Sequence, residues 1–92
     1  MDAESDVVAA HSHCIRNRAE LERSRASGCF YCLETYPVAE IWEWIRERPE
    51  DQEKLTAMCP KCGIDAVIGD ASGYPLTDAR FLERMRRHWF DI

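Results

Sequence analysis

The sequence has no apolar run long enough to cross a membrane, no internal repeat and no low-complexity segment. A membrane-spanning helix needs about 18 or more consecutive apolar residues, so we expect no membrane partner. Residues 1–6 are acidic, whereas a secretory signal needs a basic start followed by an apolar stretch. We therefore expect a cytoplasmic protein whose residues 1–5 are disordered.

Histidine is absent between Cys14 and Arg87. Some His-Asn-His nucleases frame a catalytic histidine with two cysteine pairs, and this gap removes the metal ligand and base that such an enzyme needs. The chain also has no net positive charge: it contains 12 Lys and Arg residues and 17 Asp and Glu residues, which gives a formal charge of −5. This charge argues against general affinity for a phosphate backbone, so nucleic acid is not the expected partner.

What is present suits a single small globular domain over residues 1–92. Hydrophobic residues make up 46% of the chain and aromatic residues 10%, which is enough to form a modest core. A composition of this kind is not typical of disorder. Because small cores are marginal, a metal ion would add useful stability.

Four of the five cysteines form two Cys-x-x-Cys pairs, Cys29-Phe-Tyr-Cys32 and Cys59-Pro-Lys-Cys62. Two such pairs complete a tetrahedral four-sulfur site, the closed arrangement typical of structural Zn²⁺. Gly63 can supply the positive φ needed where the chain doubles back. In a reducing cytosol the pairs favour metal binding over disulfides. A rubredoxin-like iron site is the nearest alternative, and iron–sulfur clusters usually have other spacings.

The apolar pattern predicts a small α+β fold in which three helices surround a zinc-ribbon-like β-hairpin. The first helix covers Asp6–Ala26, with Val7, Cys14 and Leu21 at heptad spacing. The zinc-knuckle region covers residues 28–90. Its second helix is predicted to begin at Pro37, with an apolar face of Val38, Ile41, Trp42 and Ile45. A hairpin is predicted from two short segments, Leu55–Met58 and Ile64–Ile68. The last helix is predicted to begin at Thr77, with a buried stripe of Phe81, Leu82, Met85 and Trp89.

Three segments of the chain form a distinctive pattern: Gly28-Cys-Phe-Tyr-Cys32, Cys59-Pro-Lys-Cys-Gly-Ile-Asp-Ala-Val-Ile-Gly-Asp70 and Ser72-Gly-Tyr-Pro75. In this pattern the chain resembles a group of small, largely uncharacterised bacterial cytoplasmic proteins. The resemblance spans about residues 28–90. It implies a metal-binding role for the four paired cysteines and brings no catalytic residue with it.

Other groups have plainer interpretations. Cys14 shares the apolar face of the first helix and is predicted to be a small buried hydrophobe. His11 lies one turn earlier, so a Cys–His nucleophile can be drawn, but no orienting group accompanies it. His13, like His11, is predicted to be a surface or edge residue, since the four-sulfur site lacks no ligand. Three carboxylates offer oxygen ligands of the kind that Mg²⁺ prefers, but their simpler interpretation is as strand, turn and helix-start residues: Asp65, Asp70 and Asp78.

Two charged surfaces are candidates for function. The acidic run Glu40–Glu53 could bind a basic protein partner. Trp44 is predicted at the edge of the second helix's apolar face, where core packing is the simpler role and exposure would make it an anchor of that surface. We therefore expect a non-enzymatic zinc protein that acts by protein contact, for example as an immunity or antidote protein. Alternatively, arginines of the first and last helices would make it a nucleic-acid-binding regulator. The heptad-like first helix could also pair with a copy of itself.

Overall fold

The computed structural model describes residues 5–92, and the predicted disorder of residues 1–5 falls mostly outside that range. Within the range there are three α-helices and five short strands. The helices are α1 (Ser5–Ala10), α2 (Arg18–Glu22) and α3 (Ala79–Phe90). The strands are β1 (Ala26–Cys29), β2 (Thr35–Pro37), β3 (Trp44–Ile45), β4 (Thr56–Ala57) and β5 (Val67–Gly69). The fold is thus small and α+β, as the sequence predicts at that level.

The strands form two antiparallel sheets. In the larger sheet β1 lies between β2 and β5, with Gly28 opposite Thr35 on one side and Ile68 on the other. The smaller sheet pairs β3 with β4, so that Trp44 faces Ala57. Both sheets are short, and their stability depends on packing against the helices rather than on their own ladders.

Helix α3 packs across the larger sheet at Gly28. A Cβ atom at this glycine would lie 3.2 Å from the Leu76 carbonyl oxygen and 3.3 Å from Leu82 Cδ1, so the missing side chain permits the close approach. The buried core is contributed by the helices, by β1 and β5 and by the cysteine loops. Its largest fully buried apolar side chains are Phe30, Leu21, Ile68, Leu76, Leu82 and Met85.

The N-terminal segment is not the single helix predicted over residues 6–26. Helix α1 ends at Ala10, a 3₁₀ turn follows over His11–Cys14, and Arg16 takes a positive φ of 49° before α2 begins. The Arg16 N–H donates to Thr56 Oγ1 at 2.7 Å, so a tertiary hydrogen bond replaces the helical one. The predicted apolar positions are nonetheless buried: Val7, Cys14 and Leu21.

The predicted helix from Pro37 is also wrong. Pro37 ends strand β2, a 3₁₀ turn covers Val38–Glu40, and the chain then extends into β3. Because the segment is extended, helical spacing does not decide which side chains are buried. Trp42 is 74% exposed, whereas Trp44, predicted at the edge, packs against the core.

The predicted hairpin around the second cysteine pair is replaced by a connection between the two sheets. Strand β4 pairs with β3, and β5 pairs with β1. The last helix is present as predicted, although Asp78 rather than Thr77 caps it, its carboxylate accepting the Arg80 N–H at 2.9 Å. Its apolar stripe is buried except at Trp89, which is 36% exposed. No helix within residues 5–92 has the length and apolar character needed to cross a membrane.

Candidate metal centre

The two cysteine pairs meet at one end of the larger sheet. Cys29 is the last residue of β1, and Cys32 lies in the turn that leads to β2. Cys59 and Cys62 occupy the connection from β4 to β5. The four Sγ atoms lie within 4.8 Å of one another, so the structure brings together the four cysteines predicted as ligands, in a group that could hold a metal ion.

The sulfur spacing can be compared with that of a metal–thiolate tetrahedron. Zinc–sulfur bonds of about 2.3 Å at tetrahedral angles place neighbouring sulfurs about 3.8 Å apart. The Cys29 and Cys62 sulfurs are 3.7 Å apart, and those of Cys32 and Cys59 are 3.8 Å apart. Both contacts join one pair to the other, and their lengths fit a single ion held between the two loops.

The two loops have the same backbone design. The Leu33 N–H donates to the Cys29 carbonyl at 2.8 Å, and the Gly63 N–H donates to the Cys59 carbonyl at 2.9 Å. Leu33 and Gly63 hold equivalent positions with φ of 67° and 82°. The sequence predicted the positive φ at Gly63. It gave no signal for Leu33, because leucine rarely adopts that conformation.

Hydrogen-bond donors point at two of the sulfurs. The Tyr31 N–H lies 3.4 Å from Cys29 Sγ, and the Lys61 N–H lies 3.3 Å from Cys59 Sγ. The buried Tyr36 hydroxyl donates to Cys59 Sγ at 3.1 Å. Donors of this kind stabilise thiolates, the form in which cysteine binds metals.

The cysteines differ in acidity because their surroundings differ. Burial opposes ionisation of Cys59, but donation from the Tyr36 hydroxyl and nearby backbone N–H groups outweighs it and lowers its pKa to about 7. Burial raises the pKa of Cys62 to about 11, and it also raises the pKa of Cys29. A bound cation would offset these penalties, since metal coordination deprotonates a thiol outright.

Asn17 supports the cysteine centre, and this role was not predicted from the sequence. Its side-chain amide donates to the Val67 carbonyl at 2.8 Å and accepts from the Ala57 N–H at 3.2 Å. It therefore fastens the strand before the second cysteine loop to the strand after it. The sequence carries one signal for this role, a polar residue in the apolar stripe between Cys14 and Leu21.

The cysteine and the two histidines that were considered as functional residues make packing and ion-pair contacts instead. Cys14 is buried as predicted, and burial, aided by negative charges including Asp65, raises its pKa to about 12, so it has little thiolate character. The His11 ring packs against the Trp89 ring in a tilted arrangement, with centroids 3.9 Å apart and an interplanar angle of 33°. The His13 ring lies 2.8 Å from the Glu20 carboxylate.

The three candidate Mg²⁺ carboxylates form no metal-binding group within residues 5–92. Asp70 accepts hydrogen bonds from the backbone N–H groups of Arg25 and Ala26, and Asp78 caps α3. Asp65 is exposed. Asp70 and Asp78 thus agree with their interpretation as turn and helix-start residues, whereas Asp65 lies two residues before β5 and not in the strand predicted for it.

In comparisons with known proteins, no protein-family model, no curated protein and no solved structure matches the chain. The resemblance to small bacterial zinc-knuckle proteins therefore stays a prediction from the residues themselves.

Proposed function

We propose that this protein is a non-enzymatic zinc-binding protein that acts by contact with another protein. The observation that carries the proposal is the meeting of four cysteine sulfurs within 4.8 Å of one another, with the Cys29–Cys62 and Cys32–Cys59 separations fitting a metal–thiolate tetrahedron. Four thiolates close the coordination sphere of a zinc ion and leave no position for a substrate. The ion would have a structural role, because it ties the turn of one sheet to the connection between both sheets.

The proposed contact surface is the acidic face, defined as Glu40, Trp42, Glu43 and Glu47. All four side chains are exposed, and Trp42 is the most exposed large hydrophobic residue in the described chain at 74%. An exposed tryptophan among carboxylates is typical of a binding anchor with a polar surround. The complementary partner is a basic protein with an apolar pocket, and an immunity or antidote protein that covers a basic toxin is the specific form we propose.

Nucleic-acid binding through α3 is the weaker alternative. Arg84 already makes a bidentate ion pair with Asp6, in which its two terminal nitrogens donate to the two carboxylate oxygens at 2.7 and 2.9 Å. Arg80 lies 3.5 Å from Asp78. Because carboxylates already engage two of the helix's arginines, less of its charge is available for phosphates. A gel-shift assay at low salt would revive this alternative if it detected salt-sensitive binding.

The metal is tested by elemental analysis of the purified chain. We expect one zinc per chain, and we expect a chelator to unfold the protein as followed by circular dichroism. Cys59→Ala should abolish stoichiometric metal, whereas Cys14→Ala should retain it as the matched control. Iron would show as a coloured protein, and a colourless protein without metal would contradict the proposal.

The contact surface is tested by affinity purification with mass spectrometry, followed by binding assays on the purified partner. The double variant Glu43→Lys with Glu47→Lys should lose the partner, as should Trp42→Ala. The control variant Glu83→Lys with Asp91→Lys carries the same change of charge elsewhere. If the partner tolerates both charge variants equally, the acidic face is not the interface.

A further inference from the structure

A second candidate site lies away from the cysteine loops. It is an open cavity of about 300 Å³ between α2 and the segment that precedes β4. We call it the Arg16 cavity. It is lined by Arg16, Arg18, Ala19, Glu22, Glu53 and Lys54. Three of the six lining residues are cationic and two are carboxylates, a locally positive lining in a chain whose formal charge is −5. None of the lining residues belongs to the cysteine centre.

The cations of this cavity have unused hydrogen-bonding capacity. Arg16 Nη1 lies 3.7 Å from Asp51, and Arg18 Nε lies 3.7 Å from Glu22. Both separations exceed the usual N–H···O range, in which donor and acceptor lie about 2.7–3.2 Å apart. Within residues 5–92, Lys54 makes no ion pair with any carboxylate. The donors that a guanidinium and an ammonium offer are thus available to a ligand.

The two arginines are held in position by other contacts. The Arg18 guanidinium lies over the Trp44 ring, 5.1 Å from its centroid, and the Arg18 N–H donates to the Leu55 carbonyl at 3.1 Å. The Arg16 N–H donates to Thr56 Oγ1. Because these contacts fix the backbone of both arginines and the side chain of Arg18 before any ligand arrives, binding would require little further ordering there.

The backbone beside the cavity is strained. Arg16 and Gln52 take positive φ angles of 49° and 51° without being glycine. Gln52 immediately precedes the lining residues Glu53 and Lys54. Such conformations persist where the surrounding structure enforces them, and they cluster at binding sites.

We propose that the Arg16 cavity binds the phosphate group of a small phosphate ester. Arginine and lysine together are suited to a phosphate dianion, which accepts several charge-assisted hydrogen bonds at once. Glu22 and Glu53 accept hydrogen bonds only, so the remainder of the ligand must present hydroxyl or ammonium hydrogens to them. The volume is at the lower end of the range for small-molecule sites, which limits the ligand to a few heavy atoms beyond the phosphate.

The test is a nuclear magnetic resonance titration of the full chain with inorganic phosphate, glycerol 3-phosphate and malonate at constant low ionic strength. We expect saturable shifts at residues 16–19 and 52–54 with either phosphate, and weaker binding of malonate. Lys54→Gln should weaken phosphate binding about tenfold, because a charge-assisted hydrogen bond is lost. Glu53→Gln should strengthen binding of inorganic phosphate, because a repelling charge is removed.

The matched control is Lys61→Gln, which removes the chain's other lysine from its pair with Glu40. This variant should bind phosphate like the parent protein, and the spectra themselves report that each variant is folded. The proposal is overturned if about 10 mM phosphate, well above a millimolar Kd, produces no saturable shift. It is also overturned if both lysine variants lose binding equally, or if malonate binds more tightly than the phosphates.

Discussion

The hydroxyl of Tyr36 donates a hydrogen bond to the sulfur of Cys59 across 3.1 Å, within the buried side of the cysteine centre. This contact links the edge strand of the larger sheet to the second cysteine loop. It involves a residue outside both cysteine pairs, so the centre depends on more of the fold than its four sulfurs.

Replacing Tyr36 with phenylalanine should weaken metal binding about tenfold, because groups that orient and stabilise metal ligands contribute effects of this size. The ring remains to fill its place in the core. The measurement is a zinc competition titration against a chromophoric chelator. Tyr31→Phe is the control, since its hydroxyl has no hydrogen bond within residues 5–92. Equal affinities for the two variants would contradict the role assigned to Tyr36.

Asn17→Ala should lower the free energy of unfolding by about 3 kcal/mol. The change leaves the Ala57 N–H and the Val67 carbonyl buried without their partner, and each orphaned group costs about 1–3 kcal/mol. Urea denaturation of the metal-loaded protein measures the loss. The control Ser12→Ala removes one exposed hydrogen bond and should change stability by less than about 0.5 kcal/mol. A small effect at Asn17 would show that the strands do not need this link.

Gly63→Ala should destabilise the protein by about 1–2 kcal/mol, because an alanine pays that amount in a left-handed conformation. A Cβ atom there would meet nothing within 4 Å, so the cost is one of backbone conformation alone. Gly73→Ala is a matched control with φ of 88° and equally open surroundings. Both variants should lose similar stability in thermal denaturation, but only Gly63→Ala should also weaken metal binding. Unchanged affinity there would show that the loop tolerates the strain.

Asp6 should contribute stability that depends on pH. The hydrogen bond from Arg84 holds the pKa of the Asp6 carboxyl below its ordinary value of 3.8. The contribution is therefore complete above about pH 4 and is lost as the pH falls through the lowered pKa. Since the pair is partly exposed, it is worth less than about 1 kcal/mol.

Denaturation of the Asp6→Asn variant across the acid range checks this prediction. The variant should be slightly less stable than the parent at pH 7, and the difference should vanish towards pH 2. High salt should also reduce it. Asp65→Asn, at an exposed carboxylate without an ion pair in the described chain, is the control. A difference that persists at pH 2 would place the effect elsewhere.

The cysteine centre was the most predictable part of the molecule, because a Cys-x-x-Cys pair specifies a local loop. The last helix was predictable for a related reason: its apolar stripe at Phe81, Leu82 and Met85 is uninterrupted and its capping residues are close at hand. Neighbouring residues determine each cysteine loop and the helix, and the meeting of the two distant loops was predictable because one tetrahedral ion needs four sulfurs.

The two wrong helices share a physical cause. Their apolar residues recur at helical spacing, but long-range hydrogen bonds decide the backbone. The Thr56 hydroxyl accepts a hydrogen bond from the Arg16 N–H, and Trp44 pairs with Ala57 in an antiparallel ladder between distant segments. Periodicity indicates which residues prefer burial and cannot show which partner will supply their hydrogen bonds. This is why Val7, Cys14 and Leu21 are buried as expected on a chain that bends between them.

The four cysteines are unequally exposed: Cys29 and Cys59 are buried, Cys32 is intermediate and Cys62 is exposed. A chelator or another metal-carrying molecule must therefore approach over Cys62, whose bond would be the first to exchange. Release of the ion would begin with dissociation of the Cys62 sulfur, while the other three cysteine sulfurs remain bound to the ion. For the metal ion proposed here, the rate of transfer, as distinct from the affinity, would be set at Cys62.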